Sequence, residues 1–360
     1  MSARVYLDWN ATTPLRPEAR AAMAEAMDLV GNPSSVHTEG RAAKGLLERA
    51  RTDIAEAFGA DPDEVVFTSG ATEAAALALR GRGCVGAPVE HECVLGWIDP
   101  SLAVTPEGQV TVTEPERTAL QGANSETGIL QDLPRGLALI DAAQVAGKVP
   151  FAFGWTGARA ALIAPHKFGG PKGVGALLLR RGEALEPVLR GGGQEMGRRA
   201  GTENLIGIAG FAAAARAAVA DVASGTWDEV SEVRNILEQA LEAAAPETIF
   251  VGKGAARLPN TLALATPGWK GETQVMALDL AGFAVSAGSA CSSGKVRASR
   301  TLVAMGYDPE VASAMLRVSI GPGVGREAVL AFADAWEKSH RRARRRETSG
   351  TSPERVVGEV

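Results

Sequence analysis

Two short apolar runs separated by a loop rich in glycine and proline constrain the fold more than any other stretch of this chain. The first run covers residues 158–164 and leads into His166 and Lys167, and the second covers residues 176–179, after the loop 169–175. Apolar runs of this length bounded by breakers are typical of buried strands. The stretch therefore predicts a strand, a tight loop and a second strand, with Lys167 at the end of the first strand.

Lys167 gives the first indication of chemistry. An amine at a strand end is partly removed from water, and a lysine whose charge is disfavoured becomes a nucleophile that forms Schiff bases with carbonyl compounds. Pyridoxal 5'-phosphate (PLP) is a carbonyl cofactor of this kind. The alternative is that Lys167 is a surface lysine in a loop. For a His-Lys pair without further supporting motifs, this alternative would be favoured.

Composition excludes several classes of protein. With 360 residues and 46% hydrophobic content, the chain can bury a large core and is long enough for two domains. A formal net charge of −5 favours neither nucleic acid nor an anionic membrane as a partner. The most apolar run, residues 208–223, is interrupted by charges, and the N-terminus lacks a secretory pattern. Three scattered cysteines do not form a disulfide framework, so we expect a cytoplasmic protein.

A second junction predicts an anion site. The strand-like residues 64–68 lead directly into Ser69-Gly70-Ala71-Thr72-Glu73 and an alanine-rich helix. Unpaired backbone N–H groups, the positive end of the helix dipole and the Thr72 hydroxyl converge there. A phosphate suits this position, whereas an ordinary helix cap without a ligand is the alternative.

Further polar residues lie where other predicted strands end. His91 and Asn124 lie in loops after short apolar runs, and Asp141 caps a buried-type strand with Gln144 three residues on. Strands alternating with helices, with polar side chains gathered at strand ends, are typical of an α/β fold whose site lies along one sheet edge.

The domain boundaries are predicted from breaks in the pattern. Ser224-Gly225-Thr226 interrupts an alanine-rich helix, and the composition from Ser339 onward turns to charged and small polar residues. We predict a large domain over residues 15–230, a small domain formed by residues 1–14 and 231–338, and a flexible charged tail over residues 339–360. The arginine cluster 341–346 could dock an acidic partner, but a solvated helix end is the interpretation we favour.

Nine motifs in a fixed order carry a resemblance to a known family. They are Leu-Asp-x-x-Ala-Thr-Thr-Pro, Asn-Pro-Ser-Ser-x-His, Thr-Ser-Gly-Ala-Thr-Glu, Glu-His, Asn-x-Glu-x-Gly, Asp-Ala-x-Gln, His-Lys-x-x-Gly-Pro-Lys-Gly, Gly-Gly-Gly-Gln-Glu-x-Gly-x-Arg-x-Gly-Thr and Ser-Ala-Gly-Ser-Ala-Cys-Ser-Ser-Gly. From residue 5 to about residue 335 the chain resembles the cysteine desulfurases of the NifS/IscS type, within the class-V aminotransferases. The resemblance implies fold type I of the PLP enzymes, with a mixed, mostly parallel sheet in the large domain and a small α+β domain.

The resemblance also implies roles for the cofactor-binding residues. Lys167 would hold PLP and move the proton at the substrate Cα, and Asp141 would pair with the pyridine nitrogen. His91 would lie on the ring face, where the resemblance makes it a catalytic as well as a cofactor-binding residue. The other residues of the site are assigned by their motifs: Asn124 and Gln144 near the phenolate oxygen and substrate, Ala71, Thr72 and His166 at the phosphate, and Thr202 at the phosphate of the other subunit. The last assignment implies a homodimer.

Arg317 and Cys291 would act on the substrate. Arg317 matches the arginine that clamps the substrate carboxylate, and a structural ion pair at a strand is its alternative. Cys291 lies among glycines and serines, with Lys295 and Arg297 nearby to favour the thiolate. By resemblance it takes the sulfur of L-cysteine as a persulfide, L-alanine leaves, and an acceptor such as an iron-sulfur scaffold receives the sulfur. We interpret Cys84 and Cys93 as packing residues.

Two alternatives to this function remain open. A selenocysteine lyase, or another fold-type I PLP enzyme, would share most of the motifs. A non-catalytic interaction protein could also retain the fold.

The chain departs from the family pattern at two places. Ala164 stands where a serine usually donates to the phosphate, a loss of about 1 kcal/mol. The stretch between Asn124 and Asp141 is too short for the usual helix plus a strand. We therefore expect a thinly covered sheet face that leaves an apolar patch.

Overall fold

The computed structural model describes residues 4–288 and 298–350, with side chains as far as Arg345. Cys291 and its neighbours Lys295 and Arg297 lie outside the described residues. The helices are α1 Pro17–Met27, α2 Thr38–Ala57, α3 Ala71–Leu79, α4 Glu92–Leu95, α5 Phe153–Thr156, α6 Leu205–Ala223, α7 Thr226–Ala244, α8 Gly271–Leu280, α9 Arg300–Ala304, α10 Pro309–Ser313 and α11 Arg326–Gly350. The strands are β1 Val5–Tyr6, β2 Val65–Thr68, β3 Ala119–Gln121, β4 Leu139–Asp141, β5 Ala160–Ile163, β6 Gly175–Leu179, β7 Ile249–Val251, β8 Thr261–Ala265, β9 Phe283–Ala284, β10 Ser286–Ala287 and β11 Met315–Ser319.

A five-stranded sheet in the order β2-β6-β5-β4-β3 forms the centre of the molecule. The strands β3, β4 and β5 run parallel, while β6 runs antiparallel to both of its neighbours, β5 and β2. Every residue of these strands is buried, as expected for short, almost entirely apolar runs covered on both faces. The predicted strand, loop and strand around Lys167 are confirmed as β5 and β6, and the mixed, mostly parallel sheet is confirmed with them.

Both faces of this sheet are covered, so the predicted apolar patch is wrong. On one face, side chains such as Val66, Leu162 and Leu177 pack against α3 and against Val94 of α4. On the other face, the alternate strand residues pack against α2 and α6. The connection 122–138 contains no helix, as predicted. The cover comes instead from elements elsewhere in the chain, which the length of one connection does not reveal.

A second sheet, β10-β11-β8-β7, is antiparallel and packs with α7, α8 and α11. The N-terminal strand β1 pairs with β9, and Leu7 belongs to the same hydrophobic core. The predicted boundary at residues 230/231 falls inside α7, and the boundary at residue 339 falls inside α11. His340, at the start of the predicted tail, is buried and stacks on Trp269 and Trp336. The division into domains stays a prediction.

Helix α6 is long and apolar enough to span a membrane by length and composition, and within the described ranges it is the one helix that is. It packs against α1 and α2, where Phe211 and Ala214 are part of the core. A buried core helix has the same composition, so this is weak evidence for a membrane.

Candidate active site

The ends of three strands of the central sheet, β2, β4 and β5, bring the predicted site residues together. Asp141 is the last residue of β4, Lys167 lies in a 3₁₀ turn, Pro165–Lys167, just after β5, and α3 begins three residues after the end of β2. Since β2, β4 and β5 point in one direction, their carboxyl ends meet at one sheet edge, where ligands of α/β sheets bind. Gly175 at the start of β6 allows a close approach to Gly70, the residue before α3, because a Cβ on Gly175 would lie 2.7 Å from Gly70 Cα.

Lys167 is held by the backbone of the N-terminal segment. Its Nζ donates to the carbonyl oxygens of Asn10 at 2.7 Å and Ala11 at 2.9 Å. Asn10 itself is 1% exposed, and its side chain contacts Thr261, Ser125 and Asn260. The amine of Lys167 is therefore fixed by residues more than 150 positions away in the sequence.

Asp141 is a buried carboxylate that has no ion-pair partner among the described residues. Its Oδ1 accepts a hydrogen bond from the Ala143 backbone N–H at 2.9 Å. Burial raises the pKa of Asp141, while the Ala143 N–H and the charges of His91 and Lys167 act in the opposite direction. A protonated ring nitrogen placed beside this carboxylate would compensate its buried charge, so the donor set fits a pyridine cofactor.

His91 is exposed at the start of α4, and its ring is oriented by Cys93. The Cys93 backbone N–H donates to His91 Nδ1 at 3.2 Å, and Cys93 Sγ lies 3.0 Å from the same nitrogen. Since Nδ1 accepts, the neutral ring carries its proton on Nε2. Cys93 packs against the core, as predicted, and it also contacts His91 at the site. Burial and then the charge of Asp141 raise the pKa of Cys93 to about 12.

The predicted phosphate end combines α3 with the turn that carries Lys167. Ala71 and Thr72 form the first turn of α3, and Thr72 is exposed. His166 Nδ1 lies 3.2 Å from Thr12 Oγ1. Burial, followed by the charges of neighbouring lysines, lowers the pKa of His166 to about 4. Because this pKa is low, His166 would donate to a phosphate as a neutral imidazole. Ala164 is buried and brings no hydroxyl to this end.

The low pKa of His166 predicts a pH dependence of stability. Unfolding returns this pKa from about 4 to 6.5, so the stabilisation from this group is present above pH 6.5 and is lost as the pH falls toward 4. We expect the unfolding free energy of the cofactor-free protein, measured in urea, to fall over this range. His166→Gln should reduce the slope by up to about one proton per molecule. Equal slopes for wild type and His166→Gln would contradict the expectation.

Asn124 and Gln144 are both buried, with different surroundings. Asn124 Oδ1 accepts from the backbone N–H groups of Glu126 and Thr127, both at 2.9 Å, and its Nδ2 donates to the Val89 carbonyl at 3.1 Å. This amide therefore holds its own loop against the segment that carries His91. Gln144 Nε2 donates to the Asn10 carbonyl at 3.0 Å, next to Lys167. The predicted contacts of both residues with a cofactor or substrate stay predictions.

Arg317, on β11, is buried and makes the structural ion pair that was its alternative role. Its Nη2 donates to Asp8 Oδ1 at 2.7 Å, and its Nη1 donates to the Ser125 carbonyl at 3.0 Å. The buried Nε, however, has no partner among the described residues. An unsatisfied buried N–H is costly, so this group is available to a ligand carboxylate.

Thr202 is exposed in the single chain, which is compatible with its predicted role at a partner's site, and that role stays a prediction.

Sequence reasoning missed two residues that the structure places at the site, Asn10 and Lys148. Asn10 lies inside the Leu-Asp-x-x-Ala-Thr-Thr-Pro motif. Lys148 follows Gln144 by four residues, and this spacing of two polar residues is the sequence feature that could have indicated their contact.

Comparison with known proteins establishes the family. The profile of the class-V aminotransferases matches residues 5–94 and 112–332, and the chain belongs to this family, whose members use PLP. A cysteine desulfurase of Klebsiella pneumoniae is 39% identical over 350 residues, which cover 88% of both chains. The cysteine desulfurase IscS of Dictyoglomus turgidum is 33% identical and covers 94% of this chain and 95% of its own length.

Solved structures agree with this assignment. A NifS-like protein from Rickettsia africae superposes with a TM-score of 0.85 at 28% identity, covering 94% of this chain and 99% of that one. A structure of SspA in complex with cysteine superposes with a TM-score of 0.74 at 26% identity, covering 88% and 99% of the two chains. The fold is therefore that of the fold-type I PLP enzymes.

Proposed function

We propose that this chain is a PLP-dependent cysteine desulfurase that converts L-cysteine to L-alanine and passes the sulfur on through Cys291. The observation that carries the proposal is that Lys167, in the turn just after β5, and the buried carboxylate of Asp141, at the end of the adjacent parallel strand β4, lie at the same edge of the sheet. The similarity to cysteine desulfurases over most of the chain supports the same reaction. The cysteine bound to SspA supports L-cysteine as the substrate.

The described residues fit PLP, which when bound supplies an electron sink for the substrate Cα. Asp141 would hold the ring nitrogen, His91 would cover the ring face, and Gln144 would donate near the phenolate oxygen. The residues proposed for the phosphate are the first turn of α3 with Ala71 and Thr72, the neutral imidazole of His166, and Thr202 of a second subunit.

The remaining groups act on the substrate. Arg317 would bind the substrate carboxylate through its unpartnered Nε, and Lys167 would move the Cα proton. The Cys291 thiolate would attack the substrate sulfur, so that an S–S bond forms, the C–S bond breaks and its electron pair stays with the carbon that becomes the methyl group of alanine. Burial raises the pKa of both Cys84 and Cys93, so these thiols stay protonated and are poor nucleophiles.

Three wider features are part of the proposal. The exposed position of Thr202 favours a homodimer with shared sites. A persulfide needs a thiol acceptor, and an iron-sulfur scaffold protein is the acceptor we propose. A cytoplasmic location suits a chain with only three cysteines, two of which are free thiols in the described residues.

Turnover assays test the proposal. Protein loaded with PLP is incubated with L-cysteine and a thiol reductant, and alanine and sulfide are measured. We expect equal amounts of both. Much faster release of alanine from L-selenocysteine than from L-cysteine would favour a selenocysteine lyase instead. Failure to bind PLP or to release alanine would favour the non-catalytic interaction protein.

A further inference from the structure

Lys148 is a buried lysine that the reaction described above does not use. It is 1% exposed and has no carboxylate partner among the described residues. Its Nζ lies 2.6 Å from Gln144 Oε1 and 3.2 Å from Asn10 Oδ1. A buried amine that meets only amide oxygens is costly to keep, because its ionised form is poorly solvated there.

We propose that Lys148 is a positioning residue that fixes the direction of the Gln144 amide, so that Gln144 presents an N–H to the PLP site. This inference rests on the proposed function, because it concerns the binding of PLP. Lys148 itself acts only through Gln144.

The hydrogen bonds of Gln144 determine which way its amide points. The Asn10 carbonyl is only an acceptor, so the Gln144 atom 3.0 Å from it must be the nitrogen. On the other side, the amine of Lys148 donates to the oxygen. Rotating the amide by half a turn would place the Gln144 oxygen against the Asn10 carbonyl oxygen. Nε2 has two hydrogens, and the Asn10 carbonyl takes one of them, which leaves one N–H for an acceptor in the site.

The charge state of Lys148 is compatible with this role. Burial lowers the pKa of Lys148 well below its usual value, and the positive charges of Lys167 and Arg317 act in the same direction. A neutral amine has two N–H donors, and two acceptors, Gln144 Oε1 and Asn10 Oδ1, surround it. Either protonation state therefore donates to Gln144.

Lys148 and Lys167 contact different groups of Asn10. Lys167 and Gln144 share the backbone carbonyl of Asn10, whereas Lys148 contacts its side chain. That side chain is also held by Asn260 at 3.1 Å and Thr261 at 2.8 Å. Removing the Lys148 amine therefore takes away the donor to Gln144 Oε1, so that only the Asn10 carbonyl still holds the amide, and it leaves the carbonyl that binds Lys167 in place.

Lys148→Met tests the inference, because methionine fills the space without a donor. The readouts are the Kd for PLP and the pH midpoint of the visible band of the bound cofactor. Loss of one directed hydrogen bond should weaken PLP binding by about 10-fold and move the midpoint by roughly one pH unit. In a double-mutant cycle with Gln144→Leu, the second substitution should add little, since Lys148 acts through Gln144.

Other outcomes overturn the inference. An unchanged Kd and midpoint in Lys148→Met, or additive effects in the cycle, would show that Lys148 only fills space. If the methionine variant does not fold, Lys148→Gln decides, because it restores an N–H donor: wild-type values support the inference, and shifted values overturn it. Should the wild type itself not bind PLP, the proposed function fails, which this comparison distinguishes from failure of the inference alone.

Discussion

Lys167→Ala is expected to abolish the visible band of lysine-bound PLP and to reduce alanine release from L-cysteine by at least about 10⁴-fold. Among the described residues, Lys167 is the only group at the site that can both attach the cofactor covalently and move the Cα proton, and the substitution removes it. Absorbance spectra and alanine release under saturating L-cysteine measure the two effects.

Lys172→Ala is the matched control for this prediction. Lys172 lies in the glycine-rich loop that follows Lys167 but is exposed, so its removal should leave both the spectrum and turnover near those of wild type. A Lys167→Ala variant that keeps the visible band, or that retains more than about one hundredth of the activity, would contradict the role of Lys167.

Asp141→Asn is expected to reduce turnover by about 10³-fold without loss of folding stability. Asparagine retains the shape of the side chain but cannot hold a charged partner at the ring nitrogen. Because burial raises the pKa of Asp141, the ionised carboxylate is disfavoured in the cofactor-free protein. Replacing it by a neutral amide should therefore leave the urea midpoint unchanged or raise it.

The exposed Asp132 provides the control, since Asp132→Asn removes a charge from the connection that precedes β4 and should change neither quantity. A fall of both stability and activity in Asp141→Asn would assign the carboxylate a structural role. Wild-type turnover in that variant would contradict its role at the ring nitrogen.

The local pattern of apolar and polar residues in the sequence predicted the part of the site that lies on consecutive strands and turns. The alternation of apolar runs and breakers identified β5, β6 and the position of Lys167 between them. The run before Asp141 likewise predicted a buried strand, and parallel pairing of β4 with β5 brings Asp141 and the turn holding Lys167 to one edge. These features depend on periodicity and on sheet geometry, both of which are visible in the sequence.

Contacts between distant segments were not predictable in the same way. Nothing in the local sequence indicates that the Asn10 carbonyl accepts from Lys167, because that contact depends on how the N-terminal segment lies across the sheet edge. The cover of the sheet was predicted wrongly for the same reason: the shortness of residues 122–138 is compensated by α3 and by residues outside that connection. The apolar run beside Cys93 correctly predicted that it packs against the core, but it did not reveal the contact of Cys93 with His91 in the turn that caps α4.

The most direct test of the account is a single turnover with L-cysteine in the absence of reductant, followed by mass analysis of the cysteine-containing peptides. The account predicts one alanine per active site and one added sulfur atom on the peptide that contains Cys291. It predicts no added sulfur on Cys84 or Cys93, whose thiols stay protonated at neutral pH. Alanine formed without protein-bound sulfur, or sulfur found on Cys93 rather than Cys291, would contradict the account.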